Sequence, residues 1–197
     1  MNVPNLLTVG RLGLTALFLA AIALANVLPL AMSAALLFFV VAGITDYLDG
    51  YLARNVYGIT SFGRLMDPLA DKVMVCAAFV SFTALGLVPA YIVVIIIARE
   101  FLVTGLRLLA IEKGLLISAG RWGKHKTIWQ ITAIIVILVG LAVRHDVLTR
   151  VDVAWMATYD VVFGYLSFAI SVAVAIITVV SGYLYFAENR EVLSRHL

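Results

Sequence analysis

The sequence predicts an all-α membrane protein with six transmembrane helices. Of its 197 residues, 64% are hydrophobic and 13% are charged, whereas soluble proteins average about 25% charged residues. The uncharged run 12–45 is longer than the roughly 20 residues that one membrane-spanning helix needs. The small net charge of +3 argues against nucleic acid as a partner. We expect one membrane-embedded domain over residues 1–197.

Turn residues divide the apolar runs into separate helices. Asn26 and Pro29 separate the first helix from the second, and Gly86 and Pro89 separate the third from the fourth. The fifth and sixth helices are predicted from their apolar bodies. The predicted ranges are about 6–26, 30–55, 65–86, 89–112, 127–143 and 161–187.

Basic residues are distributed unevenly among the connections. Nine lie in the loops after the second and fourth helices and in the C-terminal tail, whereas two lie in the loop near 144–156. Since cytoplasmic loops carry an excess of Lys and Arg, this asymmetry predicts that both termini face the cytoplasm. We expect an integral protein of a bacterial inner or plasma membrane.

Four aspartates lie within the segment DYLDGYLARNVYGITSFGRLMDPLAD. On a helix Asp49 lies about 60° from Asp46, and Asp67 shares a face with Asp71. An ionised side chain at the bilayer centre costs about 2.5–3.5 kcal/mol on insertion scales, so these carboxylates need a compensating partner. We expect them to converge from the second and third helices near the cytoplasmic surface. Pro68 is expected in the first turn of the third helix.

A divalent cation is the expected partner of these carboxylates. All the ligands are oxygens, which suits Mg²⁺, Mn²⁺ or Ca²⁺ better than zinc. Four carboxylates can hold two such ions, an arrangement that recurs in phosphoryl displacement. Gly50, Ala53 and Gly63, the last in the predicted loop, let a polar ligand approach the backbone, and Arg54 can contact a phosphate. For isolated residues the alternative is that acids only face water and small residues only pack helices.

The pattern D-x2-D-G-x2-A-R-x8-G-x3-D-x3-D resembles the signature of the CDP-alcohol phosphotransferases. The chain carries every fixed position: Asp46, Asp49, Gly50, Ala53, Arg54, Gly63, Asp67 and Asp71.

The resemblance implies an enzyme in which an alcohol attacks a CDP-linked lipid and CMP is released. It implies six helices, a homodimer and two ions, Mg²⁺ or Mn²⁺, held by the four aspartates. It also implies that Asp71 is the general base. The CDP-lipid is then expected to contact Asp49, Gly50, Ala53, Arg54 and Gly63.

Four basic residues form a second group: Arg99, Arg107, Lys124 and Lys126. Such a cluster can bind an acceptor that carries a phosphate. The alternative is that they are ordinary cytoplasmic-side residues or contact anionic lipid headgroups. That alternative suits Arg99 least, because a charged side chain within the membrane is costly and usually marks a functional site.

The elements R-E-x5-L-R (99–107) and G-K-x-K-T (123–127) are similar to those of phosphatidylglycerophosphate synthases within the family. The opening NVPNLLTVGRL is similar too, and its Thr8 and Arg11 are expected on the pyrophosphate or cytidine side of the CDP-lipid. This resemblance implies CDP-diacylglycerol as donor and sn-glycerol 3-phosphate as acceptor, with membrane lipids around the protein.

Other functions remain open at this stage. Another enzyme of the family would use inositol phosphate, serine or phosphatidylglycerol as acceptor. A cation transporter would use the aspartates as its ion site, because intramembrane acids also mark ion pathways. A structural membrane protein with an inactive site is the third alternative.

Overall fold

The structure, a computed structural model, describes residues 3–52, 61–112, 121–148 and 155–190. Within these ranges all regular elements are helical, so the predicted all-α class is confirmed. The elements in chain order are α1 (Val3–Ala23), α2 (Ala31–Leu52), α3 (Ser61–Ala84), α4 (Ala90–Glu112), α5 (Arg121–Ala142), the π-helical segment Val143–Val147 and α6 (Met156–Glu188).

Three helices begin earlier than predicted: α3 at Ser61 instead of near residue 65, α5 at Arg121 instead of 127, and α6 at Met156 instead of 161. Pro68 is therefore the eighth residue of α3, and its prediction in the first turn was wrong. Because proline has no N–H, the helix continues through this position with one intrahelical hydrogen bond missing. Gly63 lies in α3 and not in the preceding loop.

The connection between α4 and α5 is also shorter than predicted. Arg107 belongs to α4, and Lys126 belongs to α5, which begins at Arg121. Lys126 was predicted just before the fifth helix, and Arg107 falls within the range predicted for the fourth. Their positions along a helix are therefore fixed by regular backbone hydrogen bonding, which gives a more rigid base for a binding site than a loop does.

Four of the described helices are long and apolar enough to cross a membrane, and the chain is an integral membrane protein. These spans are Leu6–Ala23, Ala31–Leu52, His125–Val147 and Met156–Glu188. Charged residues interrupt the other two helices, with Asp71 and Lys72 in α3 and Arg99 and Glu100 in α4. Six spans therefore stay a prediction.

The chain divides into two compact units. The first comprises Met1–Phe82 and Ile134–Phe163, and the second comprises Thr83–Ala133 and Gly164–Leu197. In the first unit α1 packs against α2, and the ring centres of Phe18 and Phe39 lie 6.2 Å apart. The predicted single domain over residues 1–197 stays a prediction.

A carboxylate from a distant part of the chain caps the N-terminus of α2. Leu30 precedes the helix with a φ of 61°, and its carbonyl oxygen accepts a hydrogen bond from the Ala34 N–H. Its apolar side chain cannot accept a hydrogen bond from the free N–H groups of the first turn. The Oδ2 atom of buried Asp146 accepts hydrogen bonds from the Ser33 N–H at 2.7 Å and the Ser33 hydroxyl at 2.6 Å. The helix dipole also favours a negative charge at this end.

Replacing Asp146 with alanine leaves the Ser33 N–H without its acceptor. We expect the free energy of unfolding to fall by about 1–3 kcal/mol, the usual cost of an unsatisfied buried group. Thermal unfolding in detergent, followed by circular dichroism, measures this change. The matched control is Asp160→Ala, which removes an exposed carboxylate paired with Arg144 and costs at most about 1 kcal/mol. Equal losses in the two variants would contradict this role.

Candidate active site

An ion pair in the first unit joins two of the predicted site residues. The Nη1 atom of Arg11 on α1 lies 2.5 Å from the Oδ1 atom of Asp46 on α2. The Arg11 residue is 1% exposed, whereas the Asp46 side chain is 45% exposed. The pair therefore compensates a buried guanidinium and leaves much of the carboxylate accessible to solvent or a ligand. Buried Thr8 lies one turn before Arg11.

A side-chain contact joins α1 to α3, the helix that carries Asp71. The Thr15 hydroxyl lies 3.3 Å from the Met74 sulfur, and both residues are buried. Asp71 itself is partly accessible, with 37% of its side chain exposed and its Oδ2 atom 3.2 Å from the Lys72 ammonium. A general base must be accessible to the group whose proton it removes. This position meets that requirement.

Only part of the predicted carboxylate cluster can be described. The side chains of Asp49 and Asp67, and residues 53–60 with Ala53 and Arg54, lie outside the described residues. Within the described part of the chain, no three His, Cys, Asp or Glu residues form a group that could hold a metal ion. Convergence of the four aspartates therefore stays a prediction. The oxygen donors of Asp46 and Asp71 fit a hard divalent cation in their chemistry and accessibility.

The second unit contains a buried ionic cluster on α4 and α5. The Lys126 ammonium contacts the Oε1 atom of Glu100, and both side chains are 2% exposed. The Nη1 atom of Arg99 lies 3.6 Å from the same Oε1 atom. The structure thus brings Arg99 and Lys126, two of the predicted acceptor residues, to one carboxylate. The side chain of Lys124 lies outside the described residues, and His125 is exposed.

One face of α6 extends this cluster. The Nη2 group of Arg99 donates a hydrogen bond to the Ser181 hydroxyl at 2.8 Å, and the Arg107 guanidinium lies 6.0 Å from the centre of the Tyr185 ring. Both partners belong to a set of buried polar residues spaced by three, four or seven positions along α6. The members of this polar face are Ser167, Ser171, Thr178, Ser181 and Tyr185.

Several buried polar atoms on α4, α5 and α6 have no hydrogen-bond partner among the described residues. They are the Nε atoms of Arg99 and Arg107, the Nε2 atom of Gln130 and the hydroxyl of Tyr185. Buried polar groups in native proteins are usually satisfied, so unsatisfied ones mark places where a polar ligand or water is expected. Most of these atoms are hydrogen-bond donors, so water or an anionic ligand can satisfy them.

Sequence reasoning missed the partners of the predicted cations. Glu100 follows Arg99 directly, but its contact with Lys126 depends on the packing of α4 against α5. Ser181, Tyr185 and Gln130 were not predicted as site residues. Their signal in the sequence is the occurrence of polar residues at helical spacing within apolar helices, which indicates a buried polar face.

The chain is similar to known phosphatidyltransferases over most of its length. The model of the family described as CDP-alcohol phosphatidyltransferase matches residues 1–180. A Bacillus subtilis protein named CDP-diacylglycerol–glycerol-3-phosphate 3-phosphatidyltransferase is 37% identical over 98% of this chain and 97% of its own. A Rickettsia felis protein of the same name is 32% identical over 94% of this chain and 93% of its own.

The α6 helix approaches Arg99 closely at Gly182. A Cβ atom there would lie 3.1 Å from the Arg99 Cγ atom, whereas at Gly164 it would meet nothing within 4 Å. Alanine is favoured over glycine in a helix by about 1 kcal/mol. We expect Gly164→Ala to raise the unfolding temperature in detergent and Gly182→Ala to raise it less or lower it. An equal increase in both variants would show that Arg99 does not pack tightly against α6.

Proposed function

The chain belongs to the CDP-alcohol phosphatidyltransferase family, and we propose that it transfers the phosphatidyl group of CDP-diacylglycerol to sn-glycerol 3-phosphate. The products are phosphatidylglycerophosphate and CMP, and the reaction belongs to phospholipid biosynthesis. The observation that carries the choice of acceptor is the cationic cluster of the second unit, Arg99, Arg107 and Lys126, of which Lys126 is buried. Its charge suits a phosphorylated alcohol, and the full-length relatives are named for the same substrates.

The first unit supplies the groups proposed for the CDP-lipid. Arg11 and Thr8 on α1 are buried, and Arg11 already contacts the carboxylate of Asp46. A guanidinium that is held by a carboxylate is oriented before a pyrophosphate arrives, which lowers the entropic cost of binding. The other positions proposed to contact this substrate are Asp49, Gly50, Ala53, Arg54 and Gly63.

Two divalent ions, Mg²⁺ or Mn²⁺, are proposed to be held by Asp46, Asp49, Asp67 and Asp71. When bound, they supply charge neutralisation for the pyrophosphate and for the departing CMP. The protein contributes the four carboxylates, which α2 and α3 carry.

Asp71 is proposed as the general base. Its carboxylate accepts the proton of the acceptor hydroxyl, and the hydroxyl oxygen then attacks the β-phosphorus of the CDP-lipid directly. The bond from that phosphorus to CMP breaks as the new bond forms. No covalent enzyme intermediate is needed, because the acceptor itself is the nucleophile.

The second unit supplies the groups proposed for the acceptor. The Arg99, Arg107 and Lys126 side chains provide positive charge on α4 and α5, and Lys124 is proposed to join them. Arg99 is anchored by Ser181, and Arg107 lies over Tyr185. Charged hydrogen bonds to a phosphate are about twice as strong as neutral ones, so this cluster favours a phosphorylated alcohol over a neutral one.

The arrangement in the membrane completes the proposal. Six spans are proposed from the apolar segments, and cytoplasmic termini with a cytoplasmic active site are proposed from the distribution of basic residues. A water-soluble acceptor reaches such a site from the cytoplasm. The single domain and the homodimer are proposed from the family resemblance.

An acceptor panel tests the proposed reaction. The purified full-length protein is incubated with CDP-diacylglycerol, Mg²⁺ or Mn²⁺ and one alcohol at a time, and CMP release is measured. We expect release with glycerol 3-phosphate and little with serine, inositol phosphate or phosphatidylglycerol. Preference for another acceptor would overturn the choice of alcohol, and absence of CMP release with every acceptor would contradict the reaction.

Asp71→Asn tests the general base. We expect turnover to fall by at least about 100-fold, the lower range for losing a positioned acid or base. Binding of CDP-diacylglycerol should persist, because the other carboxylates and Arg11 are unchanged. Asp160→Asn, which alters a carboxylate paired with Arg144, is the control and should retain turnover. Near-normal activity of the Asp71 variant would exclude its role as base.

A further inference from the structure

Glu100 is the one acidic residue in contact with the proposed acceptor cations among the residues that the structure describes. Its Oε1 atom contacts the Lys126 ammonium and lies 3.6 Å from the Arg99 guanidinium. Glu100 is 2% exposed. A carboxylate at an anion-binding site is unexpected on electrostatic grounds alone, since it repels the phosphate that the cations attract. Its presence therefore needs a physical reason.

Burial of the lysine provides that reason. The Lys126 side chain is 2% exposed, and a buried ammonium without a partner is strongly unfavourable. Removing one member of a buried ion pair leaves the other uncompensated, so the remaining side chain moves or its surroundings rearrange. Glu100 thus allows a positive charge to be kept on α5 within a buried part of the second unit.

The charges of this group also fit one class of ligand. Arg99, Arg107 and Lys126 carry three positive charges and Glu100 carries one negative charge, so the four side chains have a net charge of +2. A phosphate monoester carries about −1.5 to −2 near neutral pH. The positive net charge of the group therefore favours an anionic acceptor over a neutral or zwitterionic alcohol.

We propose that Glu100 is a positioning residue for the acceptor phosphate: its carboxylate holds Lys126 and Arg99 in the orientation that binds a phosphomonoester. The inference rests on the proposed function and deepens it. For the strength of phosphate binding, it predicts the opposite of what the net charge of the site alone would predict. Neutralising Glu100 makes the site more positive and would tighten phosphate binding by Coulomb attraction alone, whereas loss of orientation weakens it.

The test is the steady-state kinetics of Glu100→Gln in the full-length protein, with both substrates varied. We expect the KM for glycerol 3-phosphate to rise about 10-fold or more, as for lost hydrogen bonds to charged groups. The KM for CDP-diacylglycerol should stay within about 2-fold, since the altered contacts belong to the acceptor cations. Glu100→Asp retains the charge and should recover part of the loss. Asp160→Asn is the control for removal of a carboxylate elsewhere.

A second variant separates positioning from folding. Glu100→Gln combined with Lys126→Gln removes both charges of the buried pair, and such neutral replacements are often tolerated in stability. We expect the double variant to unfold near the wild-type temperature and to raise the KM for glycerol 3-phosphate by clearly less than the product of the effects of Glu100→Gln and Lys126→Gln, because Glu100 acts through Lys126. A KM raised by the full product of the two single effects, or an unchanged or lower KM in Glu100→Gln, would overturn the inference.

The wild-type protein distinguishes failure of this inference from failure of the proposed function. If it releases CMP only with another phosphorylated alcohol, the proposed acceptor is wrong, and the same KM comparison with that alcohol still tests Glu100. If it prefers a neutral or zwitterionic alcohol such as serine, both the acceptor and the role of Glu100 are overturned.

Discussion

Charged side chains in apolar helices require compensating partners, and three contacts described above meet this requirement. Arg11 pairs with Asp46, Lys126 pairs with Glu100, and the Asp146 carboxylate caps α2 through Ser33. Each contact joins two elements that are separated in the sequence. The same interactions that make charge tolerable within the helices therefore also fix how those helices pack. This double role explains why the polar residues of so hydrophobic a chain are concentrated in a few groups.

The two units carry complementary chemistry. The first presents carboxylates that stay accessible, such as Asp46 and Asp71, which suits hard cations and proton transfer. The second presents buried Lys126 and two partly buried arginines whose Nε atoms have no hydrogen-bond partner among the described residues, which suits an anionic acceptor. Transfer of a phosphatidyl group to a phosphorylated alcohol needs both kinds of site.

Local features of the fold were accessible from the sequence, whereas contacts between helices were not. The apolar runs and the turns at Pro29 and Pro89 predict the order and approximate bounds of the helices, because these depend on local composition. The spacing of Asp46, Asp49, Asp67 and Asp71 predicts a carboxylate site for the same reason. The Asp146 cap and the Glu100–Lys126 pair join residues 113 and 26 positions apart, and no local pattern encodes them. The prediction for Pro68 failed because the helix tolerates a missing N–H.

The most direct test of the account is the identity of the lipid product. Purified protein in detergent is given CDP-diacylglycerol and glycerol 3-phosphate, and the extracted lipids are analysed by mass spectrometry. The account predicts a lipid with the mass and fragments of phosphatidylglycerophosphate, formed in equal amount to CMP. Unchanged CDP-diacylglycerol, or CMP formed without that lipid, would contradict it.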